Sequence, residues 1–278
     1  RSARRSWPSC RSEAVASFRI GNQSAFSAHP LGRPFEFALA NGFDAFEWFP
    51  DKRPDGAGWT AGDLDPAARQ AYRAQARDAG IRLSVHAPVH ADPLQPRTHA
   101  DLEASLRLAI DLGAGLLNIH LTGRPEDFAA AVLPLAQRCA AAGVRLAVEN
   151  MPANSPEEFN RLFALLPRSL KAGMCLDIGH ANLHRTTHND YIGYLDRLAP
   201  ETPIIHAHLH ENFGDRDSHL VLFTGPASKD ATGIVSLLKR LTFRDFDGSL
   251  ILEQWPDPPE RLLEARDRLA GLIQGGGA

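Results

Sequence analysis

The chain has 278 residues, of which 44% are hydrophobic and 23% charged, so it is long enough for one large domain with a substantial core. Its formal net charge is −3, so the chain has no excess of basic residues of the kind that is typical of proteins binding nucleic acids or membrane surfaces. Three scattered cysteines, none in a CxxC spacing, argue against a disulfide framework or a cysteine zinc finger and favour a reducing, cytoplasmic compartment.

The first 15 residues, beginning RSARRSWPSCR, are basic and lack the apolar stretch of a signal peptide. We expect them to be a disordered or expression-derived leader outside the fold, with a nucleic-acid-binding arm as the alternative. No apolar run in the chain approaches the roughly 18 residues of a membrane span, so no membrane partner is expected.

From residue 16 onward, short apolar runs alternate with Ala-, Leu- and Arg-rich stretches of helical period. The predicted strands are 16–21, 45–49, 82–88, 116–121, 144–150, 172–178, 203–209 and 249–255, and the predicted helices include 65–80, 98–115 and 125–143. Eight such units predict an α/β fold, a single-domain (β/α)₈ TIM barrel over residues 16–274. An open doubly wound sheet is the alternative, but no GxGxxG or P-loop motif follows the first strand.

Histidine, aspartate and glutamate follow the third to the eighth predicted strand, at the strand ends where the active site of such a barrel lies. These residues are His86, His120, Glu149, Asp177, His180, His206, His208, His210, Asp217, His219 and Glu253. One such residue alone is more often a satisfied partner of its neighbours. Many together are costly to bury without compensating charge. The set therefore predicts a site for divalent cations, and imidazole with carboxylate suits zinc, manganese or iron.

The stretch HAHLHENFGDRDSH, residues 206 to 219, holds the densest group of these side chains. If the strand continues, His206, His208 and His210 face the same way at different depths, so we expect only one of them to meet the main site. Asp217 and His219 would share one side of an extended segment. The spacing alone leaves open which of the three histidines is the ligand.

The motifs HAP, IHLTG, VENMP, CLDIGHANL, HLHENFGDRDSH and LILEQW resemble, in this order, those of the xylose isomerase-like TIM barrels, and more narrowly the endonuclease IV branch, also called AP endonuclease family 2. The resemblance covers nearly the whole chain from about residue 16 and implies three divalent metals, zinc being expected and manganese or iron the alternatives.

The implied ligands fall into three groups. The first is His86, His120 and Glu149; the second is Glu149 as a bridge with Asp177, His208 and Glu253; the third is His180, Asp217 and His219. The resemblance thus selects His208 on the seventh strand. It implies that His206 is a packing residue and that His210 lies outside the ligand set.

One segment departs from the family pattern, and another loop is a candidate for contacting the substrate. The family usually follows its D-x-H with Leu-Gly-Glu-Gly, whereas this chain has LVLFTGPASKD at 220–230. The loop WFPDKRPDGAGW at 48–59 is expected to be a Pro/Gly turn that its tryptophans pack over the barrel mouth. The alternative is that Lys52, Arg53 and the two tryptophans grip a phosphate or stack on a sugar or base, for which this loop is the best candidate.

The resemblance implies a metal-dependent phosphoester hydrolase in which a metal-bound hydroxide is the nucleophile. The weak basic character and the lack of clear counterparts of the DNA-inserting loops favour a small phosphoester slightly over abasic DNA. The alternative is a sugar or sugar-phosphate isomerase or epimerase. In it Glu149, Asp177, His208 and Glu253 hold one metal, and Glu149 and Glu253 act as the catalytic acid–base pair beside a substrate carbonyl. A non-catalytic metal-binding protein is a third hypothesis. Nucleic acid is a less favoured partner than a small molecule.

Overall fold

The computed structural model describes residues 18–24 and 27–275. Eight parallel strands pair in chain order, and the eighth pairs with the first, so the sheet is a closed barrel. The strands are β1 (Arg19–Gln23), β2 (Ala45–Trp48), β3 (Arg82–His86), β4 (Leu116–His120), β5 (Arg145–Glu149), β6 (Gly173–Asp177), β7 (Ile204–Leu209) and β8 (Ser249–Leu252). The predicted single-domain TIM barrel is confirmed. The predicted leader, residues 1–15, lies outside the described residues.

Helices on the outside of the barrel connect the strands. They are α1 (Arg33–Ala40), α2 (Pro66–Ala79), α3 (His99–Leu112), α4 (Pro125–Ala141), α5 (Pro156–Leu165), α6 (Ile178–Leu183), α7 (Tyr191–Asp196), α8 (Thr232–Phe243) and α9 (Arg261–Gly275). The side chain of Asp65 caps the start of α2 by accepting a hydrogen bond from the Ala68 amide. Gly80 ends this helix with a φ of 72°, a left-handed conformation that glycine adopts at little cost. Within the described residues, no helix is long and apolar enough to cross a membrane.

Strand boundaries differ from the predicted ones mainly at the first and last strands. The register pairs Arg19 with Ser249 and Asn22 with Leu252, so β1 extends further toward the C-terminus than the predicted run 16–21. The same pairing ends β8 at Leu252, before the predicted end at residue 255. An apolar run therefore overestimates a strand where no neighbour continues the hydrogen-bond ladder.

An aromatic cluster fills the space between β2 and its neighbouring helices. Phe35 of α1 lies 5.3 Å from Phe46, 5.5 Å from Trp48 and 5.1 Å from Tyr72, measured between ring centroids. Trp59, from the loop after β2, packs edge-on against Trp48 at 6.0 Å. Both tryptophans of the 48–59 loop are buried in this core, so they pack beneath the loop and are not positioned to stack on a ligand.

Candidate metal centre

The predicted ligands meet at the C-terminal rim of the barrel because parallel strands all end on the same side. His86, His120, Glu149 and Asp177 are the last residues of β3, β4, β5 and β6, and Glu253 directly follows β8. His208 is the last residue but one of β7, and His180 lies in the first turn of α6. Asp217 and His219 lie in the loop that follows β7. The nine residues form one contiguous cluster.

Glu149 is at the centre of this cluster and is fully buried. Its Oε2 lies 3.0 Å from Nε2 of His86, and its Oε1 lies 3.6 Å from Nε2 of His120, so the first predicted ligand group is assembled. Burial by itself would raise the pKa of Glu149, but His208 and His120 together hold it well below its ordinary value. The carboxylate is therefore charged and available to a cation.

The second group surrounds one nitrogen of His208. Nδ1 lies 3.3 Å from Oε2 of Glu149, 3.5 Å from Oε2 of Glu253 and 3.9 Å from Oδ2 of Asp177. Three carboxylates thus face one imidazole nitrogen in a buried space. Glu149 lies between the first two groups, since its Oε2 approaches both His86 and His208 while its Oε1 faces His120, and its bridging role stays a prediction.

The third group is held together by Asp217, whose Oδ2 lies 3.1 Å from Nε2 of both His180 and His219. His219 has a φ of 44°, in the left-handed region. Residues 217–219 form no strand, so the extended segment that the spacing suggested is not formed, although the side chains of Asp217 and His219 still meet. Asp217 and His219 are each 36% exposed, so this group lies nearest to solvent.

Several ligand atoms have no hydrogen-bond partner among the described residues. They are Oε1 of Glu149, both ring nitrogens of His208 and Oε2 of Glu253, all of them buried, although Nε2 of His208 lies 2.9 Å from the Glu47 carboxylate. Leaving a buried polar atom unpaired costs free energy. A divalent cation is a partner for both imidazole nitrogen and carboxylate oxygen. These residues therefore fit the metals that the family resemblance implies.

Glu47 is a buried carboxylate of the cluster that the strand-end reasoning missed. It is fully buried in β2, with Oε2 2.8 Å from Nε2 of His206 and Oε1 2.9 Å from Nε2 of His208. Ser84 and Gln23 also donate hydrogen bonds to it. Burial would raise the pKa of Glu47, yet His208 and His206 hold it well below its ordinary value. A carboxylate on the second nitrogen of a metal-binding histidine is the usual way in which such a ring is oriented.

The three histidines of the seventh strand segment are all buried, at successive depths. His206 packs deepest, against Glu47, and His208 lies above it. His210 directly follows β7, and its Nε2 forms a 3.1 Å hydrogen bond with Oδ2 of Asp177. Its ring stacks on His219 with the centroids 3.9 Å apart and the planes within 3°. Two of the three histidines therefore reach the cluster, not one, because the chain stays extended to residue 210.

A cavity of about 910 Å³ opens above the cluster. The ligand residues His86, His120, Glu149, His180 and Glu253 line it, and its walls include Phe49, Arg53, Trp255 and Arg261. Of the residues predicted in the 48–59 loop to contact a substrate, Arg53 lines the cavity and the tryptophans do not. Two aromatic residues and two arginines thus line the cavity above the cluster of histidines and carboxylates.

Comparison with known proteins finds a family profile, described as xylose isomerase-like TIM barrel, that matches residues 35–272. A search of curated protein sequences finds no match. Many solved structures are similar, among them a D-tagatose 3-epimerase-like protein with a TM-score of 0.71 at 19% identity, covering 92% of this chain and 97% of that one.

Two structures from Thermus thermophilus are also similar. Endonuclease IV gives a TM-score of 0.64 at 23% identity, covering 92% of this chain and 99% of that one. The TTHB071 protein, soaked with ZnCl₂, gives a TM-score of 0.62 at 26% identity, covering 91% and 98%. The likenesses to the epimerase-like protein and to endonuclease IV are likenesses of fold. Since the family profile spans most of the chain and the described strands close into the barrel, this protein belongs to the xylose isomerase-like TIM barrel family.

Proposed function

We propose that this protein is a metal-dependent phosphoester hydrolase whose substrate is a small phosphoester. One observation supports this proposal most directly. The candidate ligands that a single metal would not use still lie together in the cluster. His120 lies 3.6 Å from Glu149, and Asp217 lies 3.1 Å from both His180 and His219. The similar structures include both an endonuclease and an epimerase-like protein, so the choice rests on this ligand set.

Divalent cations at three neighbouring positions would supply Lewis-acid activation of water and charge stabilisation on a phosphoryl group. The protein's own residues would hold and orient that chemistry. Glu149 would join the first group to the second through its two oxygens, and Glu47 would keep His208 in place. The side chains of Arg53 and Arg261 would face the negative charge of the phosphoester from the cavity walls.

The size and shape of the cavity favour a small substrate over duplex DNA. A volume of about 910 Å³ falls within the range of pockets that enclose small molecules. Phe49 and Trp255 on its walls offer apolar surface to the organic part of such a substrate. The net charge of −3 adds no general attraction for a nucleic-acid backbone.

A sugar or sugar-phosphate isomerase or epimerase is the second candidate, and one observation favours it. Glu149, Asp177 and Glu253 all approach Nδ1 of His208 within 3.3 to 3.9 Å, which is a complete set of ligands for a single metal. In this function Glu149 and Glu253 would exchange a proton with the carbon beside a substrate carbonyl. The third group would then contact substrate.

The metal content per chain separates the two candidates. Protein is purified without chelator or nickel affinity, incubated with excess Zn²⁺ and Mn²⁺, desalted and analysed for metals. The samples are then assayed against small phosphate mono- and diesters, an abasic oligonucleotide, and a panel of ketoses and aldoses. About three ions per chain with phosphoester cleavage would support the hydrolase. One ion per chain with sugar interconversion would overturn it in favour of the isomerase.

A further inference from the structure

One ring nitrogen of His210, Nε2, is hydrogen-bonded, whereas the other, Nδ1, has no hydrogen-bond partner among the described residues. Nε2 forms a hydrogen bond with Asp177, and because a carboxylate only accepts, this nitrogen must carry the proton. In the neutral ring Nδ1 then has a lone pair. The residue is fully buried, and Nδ1 has no hydrogen-bond partner among the described residues. A buried acceptor of this kind calls for a partner that approaches from the side of Nδ1.

The side of Nδ1 faces the third ligand group. Nδ1 lies 3.8 Å from Oδ1 of Asp217, and the ring is stacked on that of His219. One ligand atom each from His180, His210, Asp217 and His219 lies within 4.8 Å of the other three. Zinc–nitrogen and zinc–oxygen bonds of about 2.0 to 2.2 Å place the ligand atoms of a tetrahedral site about 3.4 Å apart. Because an imidazole nitrogen binds a metal in the plane of its ring, the stacked rings of His210 and His219 would have to rotate out of their parallel arrangement to bring these four atoms to that spacing.

Gly179 leaves the space that the His210 ring occupies, because glycine has no Cβ atom. A Cβ atom on Gly179 would come within 1.9 Å of the ring. Gly179 directly precedes His180 in the first turn of α6, so the same turn that presents one histidine of the third group makes room for another.

We infer that the third group binds its divalent cation with four protein ligands, Nδ1 of His210 being the fourth beside His180, Asp217 and His219. This inference rests on the proposed metal centre. Four protein ligands make a closed, tetrahedral site of the kind that holds a metal for structure and charge. Positions open to water and substrate then belong to the first and second groups. Asp177, hydrogen-bonded to Nε2, would orient His210 and link the third group to the second.

Measuring zinc binding tests the inference. The unchanged protein is compared with three variants, His210→Asn, His219→Ala and His184→Asn. Each metal-free protein is titrated with Zn²⁺ alone against a chromophoric chelator, and circular dichroism checks the fold. His184 is the matched control, since it is a buried histidine whose Nδ1 bonds the Pro152 carbonyl outside the cluster. We expect His210→Asn to weaken the same zinc equivalent that His219→Ala removes, by at least about tenfold, and His184→Asn to weaken none.

The possible outcomes are distinct. If His210→Asn retains all zinc equivalents at unchanged affinity, His210 is not a ligand and the inference is wrong, while the hydrolase proposal stands. If it weakens a different equivalent from the one that depends on His219, His210 acts only through Asp177, and the inference is again wrong. If the unchanged protein binds a single zinc ion, the hydrolase proposal itself fails.

A measurement on the unchanged protein keeps the test valid if His210→Asn does not fold. Long-range ¹H–¹⁵N correlation spectra report each imidazole nitrogen separately. On adding Zn²⁺, we expect the Nδ1 resonance of His210 to shift as a coordinated nitrogen does, while Nε2 keeps its proton. A Nδ1 resonance that does not respond to saturating Zn²⁺ would overturn the inference.

Discussion

Oε1 of Glu47 lies 2.9 Å from Nε2 of His208, while Nδ1 of the same ring faces Glu149 and Glu253. The two nitrogens of one buried imidazole are thus divided between an orienting carboxylate and the candidate metal centre. Ser84 and Gln23 fix Glu47 in turn, so the orientation of His208 depends on β1, β2 and β3 as well as on its own strand.

Replacing Glu47 by glutamine should weaken metal binding although Glu47 is not itself a predicted ligand. The amide keeps the volume but loses the charge that orients His208, and such changes typically cost about 10- to 100-fold in metal affinity. Isothermal titration with Zn²⁺ measures the effect. Glu158→Gln, which alters the cap of α5 outside the cluster, is the control. Equal affinities in the two variants would show that Glu47 only packs the barrel.

Replacing His219 by alanine should remove one metal ion and lower phosphoester hydrolysis at least about 100-fold, since the charge of a metal beside the reacting phosphoryl group contributes several kcal/mol to the transition state. The single metal of the isomerase alternative does not involve His219, so its metal content would be unchanged. Elemental analysis and rate measurements on the same preparation report both quantities. Full metal content together with full activity would contradict the assignment of His219 as a ligand.

Zinc binding at neutral pH should release protons. Burial lowers the pKa of His219, but the hydrogen bond to Asp217 and the negative charges of Glu253, Asp217 and Asp177 together outweigh burial and raise the pKa to about 9. Against the same effect of burial, the pKa of His180 is raised well above the ordinary value chiefly by Asp177, and that of His208 chiefly by Cys175 and then by Glu149. These rings are therefore protonated at pH 7 without metal, and the cation must displace the protons.

The apparent zinc affinity should accordingly rise with pH from about 6 towards about 9, because fewer protons then compete with the metal for His219. Calorimetry at neutral pH in two buffers of different ionisation enthalpy measures the number of protons released. We expect His219→Ala to release fewer than the unchanged protein. An observed binding enthalpy that does not depend on the buffer would contradict this prediction.

Removing the metal should lower thermal stability. A cation that binds the native state alone stabilises it by about 4 kcal/mol at a thousandfold excess over Kd, and this contribution is lost when the metal is removed. Differential scanning calorimetry of protein treated with chelator, before and after adding Zn²⁺, checks this. An identical Tm in the two samples would mean that the cluster gains nothing from a cation.

Replacing Phe35 by alanine should destabilise the fold by about 3 to 5 kcal/mol, since the ring is fully buried between Phe46, Trp48 and Tyr72. Phe243, which is 90% exposed, is the control, and its replacement should change stability by less than about 0.5 kcal/mol. Urea denaturation gives both values. A loss at Phe243 as large as that at Phe35 would contradict the description of the core.

Local patterns were sufficient to predict the architecture and most of the candidate ligands. Alternation of apolar runs with helical periods specifies βα units, and parallel closure then places every strand end on one rim. The sequence therefore predicts that the residues ending β3 to β6 lie together. They are His86, His120, Glu149 and Asp177. Their roles as metal ligands remain a prediction, as do the cytoplasmic location and the identity of the metal.

Only the tertiary structure placed Glu47 and His210. Glu47 is noticeable in the sequence, because it is an acidic residue inside the apolar run AFEW. Its partners His206 and His208 lie on β7, far along the chain, and no local pattern predicts these contacts. His210 likewise depends on the space above Gly179 and on the stacking with His219. Sequence periodicity determines which strand and which face carry a side chain. The depth in the barrel and the partner across it follow from the stagger of all eight strands and from loop turns such as that at His219, which are properties of the closed fold.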